Sequence, residues 1–268
     1  MLIVNADDLG YSSHRDEGIF EAYKKGYISS ASLLVNGSTS EQAAKTARTI
    51  GMPVGLHLNL SEGYPLSDVP SIQKSNGKMH YKMEFWCLPK TLTVLNDIVT
   101  ETKAQLEQFK EWMGQYPTRV DGHQHVHIAQ HVPAALAPVF QELGVRHTRI
   151  PDQDPDELTW LDASTINRYN ARYLPAVAAR LIYYRYNINA PLHFIGLGLS
   201  GANMTMERID SLLENCTSVT EFMVHPGFRP PPDTEGDPFD TDPGRVREYH
   251  VLKALKDKYE ISNWSIIK

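Results

Sequence analysis

The 268-residue sequence holds only two cysteines, Cys87 and Cys216, too few for a disulfide scaffold or a four-thiolate zinc site. No apolar run approaches the roughly 18 residues of a membrane span. Leu2-Ile3-Val4 gives way at Asn5 to two aspartates, too short a stretch for a signal peptide. Basic charge is not in excess. Twenty-six Lys and Arg against 32 Asp and Glu give −6, so no phosphate-tracking surface and no nucleic-acid partner are expected. Also missing are a Gly-x-Gly-x-x-Gly turn after the first strand, a Gly-x-Ser-x-Gly elbow and a Gly-Lys-Ser/Thr phosphate loop. These absences predict a cytoplasmic protein without membrane contact. What is present is ordinary for a globular chain, 41% hydrophobic and 22% charged. One domain over residues 1–268 fits the length of a single (β/α) barrel.

Short aliphatic runs alternate with longer helical patterns. Strands are predicted at Leu2–Asn5, Ser32–Asn36, Val54–Leu60, Arg119–Gly122, Val145–Ile150, Leu192–Leu197, Glu221–His225 and Asn263–Ile267. Helices are predicted at Asp16–Lys25, Ser40–Ile50, Leu92–Trp112, Val132–Leu143, Ser164–Tyr184, Met206–Cys216 and Arg245–Tyr259. An irregular excursion, about 61–91, interrupts the alternation. Asp152–Asp162, with five acids, reads as a solvated loop, and Pro226–Pro243, with six prolines and five acids, as another. The repeat predicts an α/β fold, a TIM-barrel-like (β/α) barrel that is seven-stranded or distorted, in preference to an open doubly wound sheet.

Barrel active sites assemble at the C-terminal ends of strands, and several chemistry-bearing residues fall there. Asn5-Ala6-Asp7-Asp8 closes the first strand. In a strand the two carboxylates face opposite sides; they make a solvated turn or helix cap, or a pair in which one binds a cation and the other accepts a proton. Period-two alternation in Gly55-Leu56-His57-Leu58-Asn59-Leu60 sets His57 and Asn59 against three leucines. A lone strand histidine is commonly a hydrogen-bonded core residue. Four of the eleven histidines crowd between 123 and 131, beginning Asp121-Gly122-His123-Gln124-His125-Val126-His127. Imidazole suits transition ions, so the alternatives are a metal site and an exposed histidine-rich loop. His225, before Pro226-Gly227, and Arg149 also end strands. The guanidinium can hold Asp7 or a substrate group, or serve a structural ion pair. Asn36 is a candidate for the pocket wall. Asp8, His57 and His123 come from three strand ends, and one carboxylate with two imidazoles leaves positions open, as hydrolytic metal sites require. Metal-assisted hydrolysis is the chemistry this constellation points to.

Together Asn5-Ala6-Asp7-Asp8-Leu9-Gly10, Ser32-Leu33-Leu34-Val35-Asn36-Gly37, Gly55-Leu56-His57-Leu58-Asn59-Leu60, Asp121-Gly122-His123-Gln124-His125-Val126-His127 and His225-Pro226-Gly227 resemble the YdjC-like carbohydrate deacetylases, which include chitooligosaccharide deacetylases. The motifs run in order from position 5 to 227. The resemblance implies a (β/α) barrel-like fold and one divalent cation on Asp8, His57 and His123. It also implies Asp7 as catalytic base, His225 as catalytic acid, removal of acetyl groups from N-acetylated sugars, and a homodimer. Magnesium is the family's frequent assignment, whereas ligand softness favours zinc. Leu9 and Val224 depart from the family's usual phenylalanine and cysteine. Asn36, Asn59, His125 and Arg149 are the substrate-binding candidates, and Tyr64, Phe85 and Trp86 either stack on sugar rings or pack the excursion onto the barrel. Two other readings stand beside this one: a binuclear amidohydrolase or phosphoesterase using His123 with His125, and a non-catalytic sugar-binding barrel.

Overall fold

The computed structural model describes residues 1–230 and 238–267. The chain alternates from the start: β1 Leu2–Leu9, α1 Ser13–Lys24, β2 Ser30–Leu33, α2 Ser40–Thr49 and β3 Val54–Leu58. After an excursion that includes the short α3 Lys82–Trp86 come α4 Leu92–Met113, β4 Arg119–Gly122, α5 Val132–Glu142 and β5 His147–Thr148. The remainder is α6 Ala163–Arg185, β6 His193–Ile195, α7 Met206–Leu213, β7 Thr220–Val224, α8 Pro238–Thr241, α9 Gly244–Lys258 and β8 Ile261–Ser262. Crossover helices make the pairing parallel throughout, in the order β5-β4-β3-β2-β1-β7-β6. The curled sheet is a distorted (β/α) barrel of seven strands, as the alternation predicts. It is closed everywhere but between β5 and β6. There the described residues form no ladder; the edge of β5 makes one isolated bridge to Asn189, ahead of β6, in which Thr148 N donates to Asn189 O at 2.9 Å and Asn189 N to Arg146 O at 2.8 Å.

All eight residues of β1 are buried, as a central parallel strand covered on both faces requires. The helices close over the sheet with apolar stripes, Ala43, Ala44 and Ala47 on α2 and Val94, Ile98, Leu106 and Phe109 on α4. Helix α4 is bounded by local chemistry: Thr91 Oγ1 accepts from Val94 N, and Gly114 takes the left-handed conformation at φ +84°. Two buried polar residues of α4 pin what precedes it. Glu101 accepts from Leu66 N and Ser67 N, and Gln105 donates to Asn59 O.

Beyond shifted ends of β1, β2, β3 and β6, among them β2 stopping at Leu33 rather than Asn36, four segments differ from the pattern-based expectation. The eighth strand is Ile261–Ser262 rather than Asn263–Ile267. On that flank of β1 only Leu2 and Ile3 are open before β2 takes over at Asn5, and Asn263 turns the chain by accepting from Ser265 N. Strand β5 shrinks to two residues because its outer edge, among the described residues, meets a single bridge partner, Asn189. Asp152–Asp162 is anchored, not merely solvated: Gln153 accepts from Gly196 N and Leu197 N, Leu158 is buried, and Trp160 donates to Gly198 O. Of the Pro226–Pro243 loop, residues 231–237 lie outside the described residues, and Pro238–Thr241 forms α8. No helix among the described residues is long and apolar enough to cross a membrane.

Candidate active site

Asp7 and Asp8 share one cavity because β1 is bulged. Its register to β2 runs Asn5↔Ser30 and Ala6↔Ala31, then Leu9↔Leu33, so β1 carries one extra residue. Asp8 absorbs it at φ +64°, a left-handed conformation that short polar side chains tolerate better than most. Plain alternation would send the two carboxylates to opposite faces; the bulge brings both to the wall of a cavity of about 240 Å³. That cavity is also lined by His57 from β3, by His123 and His125 after β4, and by His225 after β7.

The turn after β4 has a specific backbone requirement. A Cβ at Gly122 would lie 2.5 Å from His127 Nδ1, and Gln124 and His125 follow at φ +52° and +61°. This tight coil separates the three histidines. His123 reaches Asp8, His125 faces the cavity, and His127 is buried behind it with Nε2 donating to Arg149 O at 2.8 Å. His225 is set by a close approach of another kind: a Cβ at Gly18 would lie 2.5 Å from Gly227 Cα, so α1 packs directly on the turn after β7. Buried Glu248 accepts from His225 N at 2.6 Å.

Asp8 Oδ1 lies 2.8 Å from His123 Nδ1 and 3.3 Å from His57 Nε2. One donor atom from each of the three falls within 4.8 Å of the others. Each side chain is tied from behind. Asp8 Oδ2 accepts from Arg15 Nη1 at 2.8 Å, His57 Nδ1 meets Asp121 Oδ1 at 2.6 Å, and His123 Nε2 meets Glu62 Oε2 at 2.8 Å. Such a set, buried and with outer atoms engaged, fits a small divalent cation. A second group, Asp7, His57 and Asp121, meets the same spacing. Asp121, however, is committed to Arg119, to Ser32 Oγ at 2.7 Å and to His57 Nδ1.

Asp7 is gripped by Arg149, whose Nη2 donates to Oδ1 at 2.7 Å and Nη1 to Oδ2 at 2.5 Å, and Asn5 Nδ2 adds 2.9 Å to Oδ1. His225 Nε2 stands 4.0 Å from Asp7 Oδ2 and from Asp8 Oδ2. Burial disfavours the imidazolium of His57, but the Asp7 charge and the bonds to Asp121 and Asp8 outweigh it and push its pKa up to about 10. Burial opposes ionisation of Asp8 too, yet His123, His57 and Arg15 hold its carboxyl well below the usual range. His125 is the reverse. Burial and the surrounding cations, Arg149 first, keep it well below the usual imidazole value and therefore neutral, and its Nδ1 is buried without a hydrogen-bond partner among the described residues.

The other sequence candidates sit elsewhere. Arg149 is fully buried, holding Asp7 and Glu221 rather than lining the cavity. Asn36 and Asn59 also stand off it, joined to each other by Asn59 Nδ2→Asn36 Oδ1 at 3.1 Å. Tyr64 is exposed, Phe85 lies in the core and Trp86 packs against it, so the last two fasten the excursion to the barrel. The cavity's aromatics are Tyr11, Tyr81, Tyr169 and Phe239. These, with Glu62, Arg15, Lys82 and Arg172, carry no periodic signal. They arrive from loops and helices that only the fold brings together. Lys82 is drawn down to about 8 by burial and by Arg172 and Arg168.

A profile of the family described as YdjC-like protein matches residues 1–258. The chain belongs to the YdjC-like family. A carbohydrate deacetylase of Homo sapiens is 37% identical over 272 residues, covering 94% of this chain and 84% of the relative. One from Mus musculus is 36% identical, covering 94% and 88%. A chitooligosaccharide deacetylase of Escherichia fergusonii is 36% identical over 149 residues, 54% of this chain and 57% of its own. Among solved structures, an Enterococcus faecalis V583 protein provisionally described as a cellobiose-phosphate cleavage protein superposes with a TM-score of 0.71 at 20% identity. The match covers 98% of this YdjC-like chain and 97% of that one, and extends the likeness of fold.

Proposed function

We propose that this chain is a metal-dependent carbohydrate deacetylase that hydrolyses the acetamide of N-acetylated sugars or short oligosaccharides. The observation that carries the reading is the convergence of Asp8, His57 and His123 with Asp7 and His225 in one cavity. The relatives' names, carbohydrate deacetylase and chitooligosaccharide deacetylase, support the substrate class.

A divalent cation held by Asp8, His57 and His123 would supply Lewis acidity toward the amide carbonyl and acidify water there, zinc by ligand softness or magnesium by family habit. Asp7 takes the proton of the attacking water, and the two-pronged grip of Arg149 fixes the plane of its carboxylate. His225 protonates the departing sugar nitrogen, since an unprotonated amine leaves poorly. Acid or base assistance of this kind is typically worth about 10²–10⁴ in rate. Tyr11, Tyr81, Tyr169 and Phe239 offer ring faces for a sugar, and the neutral His125 offers a hydrogen bond to a hydroxyl or acetyl group. Neither three-residue cluster among the described residues includes His125, which favours one cation over a binuclear centre.

The test is acetate release from N-acetylated mono-, di- and trisaccharides with zinc, magnesium, manganese, cobalt or nickel supplied. Acetate from one of these pairings is expected. No acetate from any, with cleavage of a phosphate ester or cyclic amide, overturns the deacetylase.

A further inference from the structure

We propose that Glu62 is a positioning residue that fixes which nitrogen of His123 faces the cation site, and that Asn59 acts through it. His123 Nε2 meets Glu62 Oε2 at 2.8 Å while Nδ1 of the same ring points to Asp8 Oδ1 at 2.8 Å. With the proton on Nε2, donated to Glu62, the lone pair of Nδ1 is left for a cation. His57 is treated alike with its nitrogens exchanged: Nδ1 goes to Asp121 and Nε2 to the site. The two imidazoles are therefore each backed by a carboxylate, one from β4 and one from the turn after β3.

That turn is built to hold Glu62 still. Asn59 Oδ1 accepts from Glu62 N at 3.1 Å, and Asn59 Nδ2 donates to Glu62 O at 2.9 Å. The carboxylate is held independently, Oε1 by Tyr11 OH at 2.7 Å and Oε2 by Gln124 Nε2 at 3.2 Å. Asn36 braces Asn59 from behind. This gives Asn36 and Asn59 a role without direct access to the cavity. They shape the turn that carries Glu62, and Glu62 orients His123.

The inference rests on Asp8, His57 and His123 being cation ligands, and the experiment separates the two questions. Full-length wild type, Glu62→Gln, Glu62→Asp and His123→Ala are stripped with a chelator and titrated with Co²⁺ and Zn²⁺, without substrate. Losing an outer-shell partner typically costs about 10–100-fold in metal affinity, and that loss is expected for Glu62→Gln, with a smaller one for Glu62→Asp. Nitrogen-15 spectra of the zinc-loaded protein should show His123 protonated at Nε2 in wild type and a tautomer mixture in Glu62→Gln. The side chain is 22% exposed, so the isosteric amide is expected to fold. Should it not, Glu62→Asp carries the same test. Affinity within twofold of wild type overturns the role of Glu62, and so does a loss as complete as that of His123→Ala, which would make Glu62 a ligand itself. A wild type that takes up no cation overturns the ligand reading instead.

Discussion

The roles proposed for Asp7, Asp8, His57, His123 and His225 are ones that different measurements separate. Replacing His57 or His123 by Ala should lower bound metal and activity together, because under the proposed reading each would supply one donor atom to a three-atom set. Metal analysis after dialysis checks this, and stoichiometric metal in an active His57→Ala protein would remove it from the site. Asp7→Asn and His225→Ala should retain most of the metal yet lose about 10²–10⁴ in turnover. The two differ in stability. Asn keeps an acceptor for Arg149 but removes the charge opposite a fully buried guanidinium, and breaking a buried pair commonly costs about 3–5 kcal/mol. A lower melting temperature is therefore expected for Asp7→Asn and not for His225→Ala, whose ring, among the described residues, makes no contact shorter than 4.0 Å to a carboxylate. Strand-end polar residues of this sort are legible in a sequence because alternation and turn residues mark where each strand stops. Glu62 is not, since nothing local distinguishes its carboxylate from that of any exposed loop.

Among the elements, β1 and the turn after β4 do most to assemble the site, and they differ in how far local sequence records their shape. The alternating pattern locates β1 but puts Asp7 and Asp8 on opposite faces; the bulge that reunites them depends on pairing with β2, which no pattern within β1 records. The turn after β4 is more open to reading, since Gly122 between Asp121 and His123 is where bulk is least tolerable. Gly122→Ala would force a methyl to within 2.5 Å of His127 Nδ1, and overpacking of this kind costs about 1–3 kcal/mol. The expected result is a lower melting temperature together with weaker metal binding, because His123 starts the same coil. Unchanged metal affinity in a destabilised variant would separate the coil's stability from its task. The excursion over 61–91 was recognisable as irregular, but its chemistry was not: Tyr81 and Lys82 reach the cavity, whereas Tyr64 and Phe85 do not.

At the scale of the whole molecule, the polar barrel interior makes stability sensitive to pH. Glu221 on β7 is buried, and burial with the nearby Asp121 charge lifts its carboxyl to about 7 against the opposition of Arg149. A carboxyl raised in the fold binds its proton more tightly there than in the unfolded chain. Its contribution is therefore favourable at low pH and is lost as pH climbs from about 4.5 to about 7, by roughly 3 kcal/mol at about 1.36 kcal/mol per unit. Glu221→Gln, neutral throughout, should become progressively more stable than wild type from pH 5 to pH 8. Parallel melting curves of the two proteins against pH would contradict the burial argument. The single bridge at Asn189 has a consequence of its own, for the order in which the barrel comes apart. A sheet whose strands are paired on both sides must break two ladders to release one strand, but at this seam the described residues show no ladder, only the backbone bonds of Asn189 and the Gln153 side chain that accepts from Gly196 N and Leu197 N. Amides of Thr148 and Asn189 should exchange with solvent deuterium through a low-energy opening, while those of β1 wait for global unfolding. The barrel would unzip from the side away from Asp8, so that slow exchange at β1 and the proposed Asp8, His57 and His123 cluster persist together after the seam has parted.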